Sequence, residues 1–132
     1  MVDATRGNIM GYAIDLSVQS VQDITVLNIS GDVTALTGST VEQACNSGIA
    51  VDSDYLLMNF DKDCYFNSGG IAFLIDIVVN SRKKGQTVSV TGLSDHFKKI
   101  FTMVGLARWV EIHNTVDDAM KSRNVLRPDS SA

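Results

Sequence analysis

The sequence predicts an α/β domain with a mixed, largely parallel β-sheet of about five strands and about four α-helices. The main observation is the order of its segments. After an opening pair of segments that alternate apolar and polar residues, apolar strand-like runs alternate with amphipathic helix-like segments, as in βαβ units. The chain has 132 residues, 45% of them hydrophobic and 20% charged, which is typical of one globular domain. We expect this domain to span residues 11–123.

The chain is predicted to begin with a flexible N-terminus and a β-hairpin. Residues 1–10 show no hydrophobic period, so we expect them to be flexible. Residues 12–18 and 24–29 alternate apolar and polar side chains, as half-buried strands do. The turn-like pair Gln22-Asp23 between them favours an antiparallel connection.

A helix and a buried strand are predicted next. Gly31-Asp32 ends the second strand, and Ser39-x-x-Glu42 has the spacing of a capping box that opens a helix. Residues 55–60 form a nearly continuous apolar run, the pattern of a strand covered on both faces. The apolar face of the predicted helix consists of Val41, Ala44, Cys45 and Ile49.

In the second half of the chain, three predicted helices alternate with two strands. Gly85 ends the first of these helices and Gly105 closes the second, since a left-handed glycine commonly ends a helix. Residues 124–132 are predicted to be a disordered tail. The helices span residues 71–84, 94–105 and 115–123, and the strands span residues 87–91 and 109–112.

The long helix over residues 71–84 has more apolar residues than one buried face requires. Phe73 and Ile77 form a second stripe beside the predicted core stripe. Two interpretations stay open: a neighbouring helix covers this pair, or the pair is partly exposed and forms the apolar centre of a partner surface. The predicted core stripe consists of Ile71, Leu74, Ile75 and Val78.

Composition excludes several classes of function. The formal net charge is −4, and the basic residues are scattered without interleaved aromatic side chains, which argues against nucleic acid as the main partner. The first residues include Asp3 and no apolar segment of a signal peptide, and no apolar run approaches the length of a membrane span. Cys45 and Cys64 are too few for a disulfide scaffold. We therefore expect a cytoplasmic protein that binds neither nucleic acid nor membrane.

The sequence lacks the motifs of common enzyme classes. It contains no Gly-x-Ser-x-Gly elbow, no Walker A loop and no Gly-x-Gly-x-x-Gly fingerprint. His96 and His113 lie in different predicted elements without metal-ligand spacing. We expect a protein that is not an enzyme, without a metal or other cofactor.

Four motifs, in order, carry a resemblance to a known family. They are Gly31 to Thr34, Asn59-Phe60, Phe66 to Ile71 and Phe97 to Ala119. Through them the segment over residues 24–120 resembles the STAS domain, the fold of sulphate-transporter tails and anti-sigma-factor antagonists. Phe66 to Ile71 lies at the family's Asp-Ser-Ser-Gly loop, and Gly31 to Thr34 lies at its Gly-x-Leu-Asp turn.

The resemblance implies a protein that works by partner switching. In the antagonist branch, the first serine of the loop is phosphorylated by a kinase that also acts as the anti-sigma factor. By position this serine is Ser68. The unphosphorylated protein would bind the ATP-binding serine kinase and the phosphorylated protein would be released, with a PP2C-like phosphatase reversing the modification. The expected oligomeric state is a monomer or a weak dimer.

The residues themselves support this role, although they allow another. Ser68 stands at a predicted loop-to-helix junction, where free N–H groups and the helix dipole favour an anion. Ser68 as a simple helix cap is the alternative. The candidate partner-binding residues are Asp32, Thr34, Asp61, Asp63, Asn67, Ser68, Gly69, Gly70, Phe73 and Ile77.

Three positions depart from the family pattern. Asn67 replaces the usual Asp, Gly69 replaces the second Ser, and Thr34 stands where the nearby turn usually has Asp. These changes leave open a second phosphate acceptor at Thr34, and also a STAS scaffold or transport-system subunit that is never phosphorylated. A small-ligand-binding α/β domain that uses the crevice at the strand ends is a further alternative.

Overall fold

A mixed β-sheet of seven strands organises the part of the chain that this computed structural model describes, residues 2–9 and 12–126. Six strands follow one another across the sheet in the order β1-β2-β3-β4-β6-β7, and the short β5 pairs with the end of β3. The strands are β1 (Val2–Ile9), β2 (Tyr12–Val21), β3 (Ile24–Val33), β4 (Tyr55–Phe60), β5 (Tyr65–Phe66), β6 (Thr87–Thr91) and β7 (Glu111–His113).

The pairing of the strands confirms the predicted α/β class and the largely parallel sheet. The chain enters through an antiparallel meander, because β1 pairs with β2 and β2 pairs with β3 in antiparallel register. From β3 onward every pairing is parallel, including β3 with β4, β4 with β6 and β6 with β7. The predicted hairpin and the four helices and three strands predicted after it therefore occur in the expected order.

Strand β1 corrects the prediction of a flexible N-terminus. Residues 2–9 pair with β2 from Val2 opposite Gln19 to Ile9 opposite Tyr12. The sequence of this segment has no hydrophobic period, and an edge strand needs none, because backbone hydrogen bonds to one neighbour hold it. Of the predicted disordered tail, residues 124–126 complete the last helix, and residues 127–132 lie outside the described residues.

The helices occur in the predicted order with several shifted ends. The capping box at Ser39 is wrong: the helix begins at Gly38, whose N–H donates to the Thr34 carbonyl at 2.7 Å, and Thr37 is its N-cap residue. The predicted strand over 109–112 begins later, at Glu111. The helices are α1 (Gly38–Cys45), α2 (Gly48–Val51), α3 (Ser68–Lys83), α4 (Asp95–Met103) and α5 (Val116–Leu126), with a 3-10 turn at Leu106–Arg108.

The sheet is covered on both faces, as the apolar run of β4 predicts. Leu56, Met58 and Phe60 of β4 belong to the larger core, which also contains buried side chains of α1, α3 and α4. Tyr55 and Leu57 point to the opposite face, into a smaller core that also contains Ala119 of α5. Alternate residues of one strand thus enter two cores, and β4 is the centre of the fold.

Candidate functional site

The short strand β5 brings the two candidate loops together. Its two residues pair in parallel with the end of β3, Tyr65 opposite Asp32 and Phe66 opposite Val33. The loop after β3 and the loop before α3 therefore lie side by side at the carboxyl edge of the sheet. Ligands of α/β sheets commonly bind at this edge.

Asn67, not Ser68, caps the helix that follows β5. The Asn67 side-chain oxygen accepts the Gly70 N–H at 2.9 Å, and its carbonyl accepts the Ile71 N–H at 2.9 Å. Ser68 is consequently the first residue of α3, and its side chain is exposed. This arrangement contradicts the alternative in which Ser68 serves as the helix cap.

Two glycines allow α3 to approach β3 closely. A Cβ atom on Gly70 would lie 1.9 Å from the Val33 carbonyl oxygen, which no side chain can tolerate. A Cβ atom on Gly69 would lie 2.7 Å from the Cβ of Ala35. The predicted partner-binding residues Gly69 and Gly70 are thus required for packing. The contact with Ala35 also gives a steric reason why glycine replaces the second serine of the family loop.

Thr34 lies inside the loop after β3. Its side chain is 4% exposed, and its hydroxyl oxygen accepts the N–H groups of Leu36 at 3.1 Å and Thr37 at 3.3 Å. The Thr34 N–H donates to the Thr37 hydroxyl at 2.9 Å. The hydroxyl of Thr34 holds the turn that leads into α1, and it is far less accessible to a kinase than that of Ser68.

The acidic candidates surround a buried thiol next to β5. Asp61 and Asp63 are exposed, whereas Asp32 is half-buried. Burial, together with the negative charges of Asp32 and Asp61, raises the pKa of Cys64 to about 12. Asp32 of β3 and Asp61, the residue after β4, therefore both act on the thiol of Cys64, although they come from different parts of the chain. Asp63 lies in the turn between Asp61 and Cys64.

Phe73 and Ile77 do not form an exposed stripe. Ile77 is 2% exposed, which contradicts its prediction as a partner-binding residue. Phe73 is half-buried, and α1 covers it so closely that a Cβ atom on Gly38 would lie 2.5 Å from its ring. Helix α1 thus covers Phe73, and Ile77 is buried in the larger core, so the interpretation of an exposed pair does not hold. Ile75, predicted to be a core residue, is instead only partly buried.

An apolar groove lies between α3 and α4 and includes Ser68 at one end. It encloses about 420 Å³. We call it the α3–α4 groove; the sequence did not predict it, because its walls come from helices that are adjacent only in the folded chain. It is lined by Phe66, Asn67, Ser68, Ile71, Ala72, Ile75, Phe97, Ile100 and Val104.

Neither a membrane span nor a metal centre is found in the described part of the chain. None of its helices has the length and hydropathy needed to cross a bilayer. Its His, Cys, Asp and Glu side chains form no group of three that could hold a metal ion.

Comparison with known proteins gives consistent matches. The family model of the STAS domain matches residues 15–119. An anti-sigma-B factor antagonist of Listeria monocytogenes is 23% identical over 115 residues, covering 87% of this chain and 99% of that protein.

Solved structures with the same fold include two anti-sigma factor antagonists. The crystal structure of one from Mycobacterium paratuberculosis has a TM-score of 0.70 at 20% identity, covering 83% of this chain and 92% of that chain. SpoIIAA in its unphosphorylated form has a TM-score of 0.64 at 14% identity, covering 86% of this chain and 96% of that chain.

Proposed function

Because the chain belongs to the STAS domain family, we propose that it is an anti-sigma-factor antagonist that acts by partner switching. Unphosphorylated, it binds an ATP-binding serine kinase that is also the anti-sigma factor, and it thereby frees the sigma factor. Phosphorylation of Ser68 releases it from the kinase. The names of its relative in Listeria monocytogenes and of its structural neighbours support this proposal.

The observation that carries the proposal is the position of Ser68. Its side chain is exposed at the first residue of the 16-residue helix α3, and Asn67 performs the capping. A kinase can therefore reach the hydroxyl without breaking a helix cap. The phosphate would also sit at the positive end of the helix dipole, so α3 stays intact after modification.

The charge of the phosphate supplies the switch. Phosphorylation adds about 1.5 to 2 negative charges at neutral pH. The exposed carboxylates of Asp61 and Asp63 lie in the turn before β5, which leads into α3, so the phosphate adds charge to a segment that is already acidic. A partner surface that fits the neutral serine would then face like charge or would have to desolvate a dianion, and either costs binding free energy.

The chain itself acts as substrate and ligand in this scheme, not as an enzyme. The kinase transfers the γ-phosphoryl group of ATP to the Ser68 oxygen, the hydroxyl proton passes to a base of the kinase, and ADP leaves. A PP2C-like phosphatase restores the serine. We place these reactions in the cytoplasm, with the protein a monomer or a weak dimer.

The experiment combines binding and phosphorylation. The full chain is mixed, with and without ATP, with each anti-sigma-type serine kinase of its host, and intact mass and peptide mapping locate any phosphate. We expect one phosphate, on Ser68, in the wild type and none in Ser68→Ala. Ser39→Ala is the matched control, because Ser39 is also an exposed serine in the first turn of a helix.

Two outcomes would contradict the proposal. Full labelling of Ser68→Ala would remove Ser68 as the acceptor. Tight binding of a kinase without any phosphorylation would instead favour a STAS scaffold that works without modification.

A further inference from the structure

The α3–α4 groove opens onto a larger exposed apolar surface. One face of α3 carries four residues at helical spacing: Ser68, Ala72, Ile75 and Val79. Val79 is 39% exposed. On the α4 side, Val104 is 45% exposed and Met103 is 83% exposed. Large apolar side chains concentrated in this way on a monomer mark an interaction site more often than chance.

Beyond the groove, at the end of α3 away from Ser68, the surface is basic. Arg82 lies in the last turn of α3, and its guanidinium carbon is 4.6 Å from the ring centroid of Trp109, which is 48% exposed. Lys83 and Arg108 are exposed next to them in sequence. Residues 1–66 have nine acidic and two basic side chains, so this cluster contrasts with the acidic half of the molecule.

The geometry of the groove favours a helix as its occupant. Apart from Phe66 of the two-residue strand β5, the walls are side chains of α3, α4 and their cap residues. Most of the backbone N–H and C=O groups there are used within the helices, so an extended peptide would find no sheet edge longer than two residues to pair with. A helix satisfies its own backbone hydrogen bonds and inserts apolar side chains only. From Ser68 to Arg82 the surface is about 21 Å long at 1.5 Å per residue, which is the length of about 14 helical residues.

We propose that an amphipathic helix of the kinase partner binds in the α3–α4 groove. The apolar side chains of that helix fill the groove, and its acidic side chains lie beside Arg82. This inference rests on the proposed function and specifies its partner surface. Complementary charge at the Arg82 end fixes the direction of the docked helix, because the exposed carboxylates of Asp61 and Asp63 precede the Ser68 end in the chain and would repel an acidic segment there.

This docking mode also explains how one phosphate acts on a large contact. Ser68 lines the groove itself, so a phosphate on its oxygen would stand at the mouth of an apolar cavity. The docked helix would have to cover a dianion with apolar side chains, which is strongly unfavourable. Phosphorylation would therefore expel the helix without a change of fold.

The test measures affinity for the kinases of the host by calorimetry, with unphosphorylated protein. Ala72→Asp and Val104→Asp place a charge on opposite walls of the groove at exposed positions, and each should weaken binding at least about tenfold. Asn80→Asp is the matched control, since Asn80 is exposed on another side of α3. Circular dichroism and thermal unfolding verify that each variant folds.

A charge reversal tests the polarity of the docked helix. Arg82→Glu should weaken binding by about tenfold, and the loss should shrink as the salt concentration rises. Lys121→Glu, an exposed change of the same charge on α5, should leave the affinity unchanged.

The outcomes separate the docking site from the proposed function. If no host kinase binds the wild type, both proposals fail. If a kinase binds and phosphorylates the wild type but binds the groove variants equally well, the docking site is overturned and the proposed function stands. If sedimentation shows a wild-type dimer that Val104→Asp dissociates, the groove belongs to a second copy of the chain, and the docking proposal is overturned.

Discussion

At the scale of single residues, Gly70 makes the site possible because its missing side chain lets α3 start against β3. A Cβ atom there would lie 1.9 Å from the Val33 carbonyl oxygen. We expect Gly70→Ala to lower the free energy of unfolding by about 1–3 kcal/mol, as overpacking does. Urea denaturation measures this, with the exposed Ser68→Ala as a control that should stay within about 0.5 kcal/mol of wild type. Equal stability of Gly70→Ala and wild type would contradict the close approach.

Ile77 is a second residue whose role the structure decides. Because it is 2% exposed, Ile77→Ser should cost about 2–4 kcal/mol of stability, in the range of large-to-small core substitutions. Ile75→Ser should lower the stability clearly less, because Ile75 lies in the partly open wall of the groove. Chemical denaturation of the two variants checks the difference. If the Ile77→Ser protein were as stable as wild type, the side chain of Ile77 would have to be exposed.

Residue patterns predicted correctly that Ser68 stands at a helix start, but they left open whether Ser68 caps that helix and whether the second stripe is covered. The cap depends on which side chain turns back to the Gly70 N–H, and Asn67 and Ser68 are both good capping residues. The positions of Ile75 and Ile77 depend on which neighbour lies beside α3. Ile77 lies on the side of α3 that enters the larger core, whereas Ile75 lies in the wall of the groove and is only partly buried.

At the scale of elements, the cap of α3 is the feature that links stability to the site. Asn67→Ala removes the acceptor of the Gly70 N–H, and we expect a loss of about 1 kcal/mol. Asn67→Asp restores the acidic residue that is usual in the family, and it should retain the stability of wild type because Asp and Asn cap equally well. Thermal unfolding of both variants tests this. A stable Asn67→Ala protein would mean that the cap contributes little.

The order of the elements could be predicted because each has its own hydrophobic period, from the alternation in β2 to the i, i+3, i+4 spacing in α4. Strands β1 and β5 could not be predicted in this way. The side chains of β1 show no period, and β5 has two residues, too few for any period. Both exist because a neighbouring strand offers unpaired backbone groups. The α3–α4 groove could not be predicted for a similar reason, since it forms only where two helices that are separate in the sequence meet.

At the scale of the whole molecule, two buried thiols couple the stability of the fold to alkaline pH. Burial, the largest cause, raises the pKa of Cys45 and that of Cys64 from the ordinary thiol value of 9.0 to about 12. Below pH 9 both thiols are protonated in the folded and the unfolded chain, so they add no pH dependence. Between about pH 9 and pH 12 only the unfolded chain loses these protons, and stability therefore falls as the pH rises.

The expected slope is about 1.4 kcal/mol per pH unit for each thiol within that window. Urea denaturation at a series of pH values from 7 to 11 measures it. Cys45→Ala and Cys64→Ala should each be less stable at pH 7, because a buried side chain is truncated, but each should show a shallower fall above pH 9. The burial of Tyr55 raises its pKa too, so part of the fall should persist in the double variant. If the wild type and the double variant lose stability in parallel above pH 9, the thiols ionise in the folded protein, and the loop that holds Cys64 beside β5 is more open to water than its burial indicates.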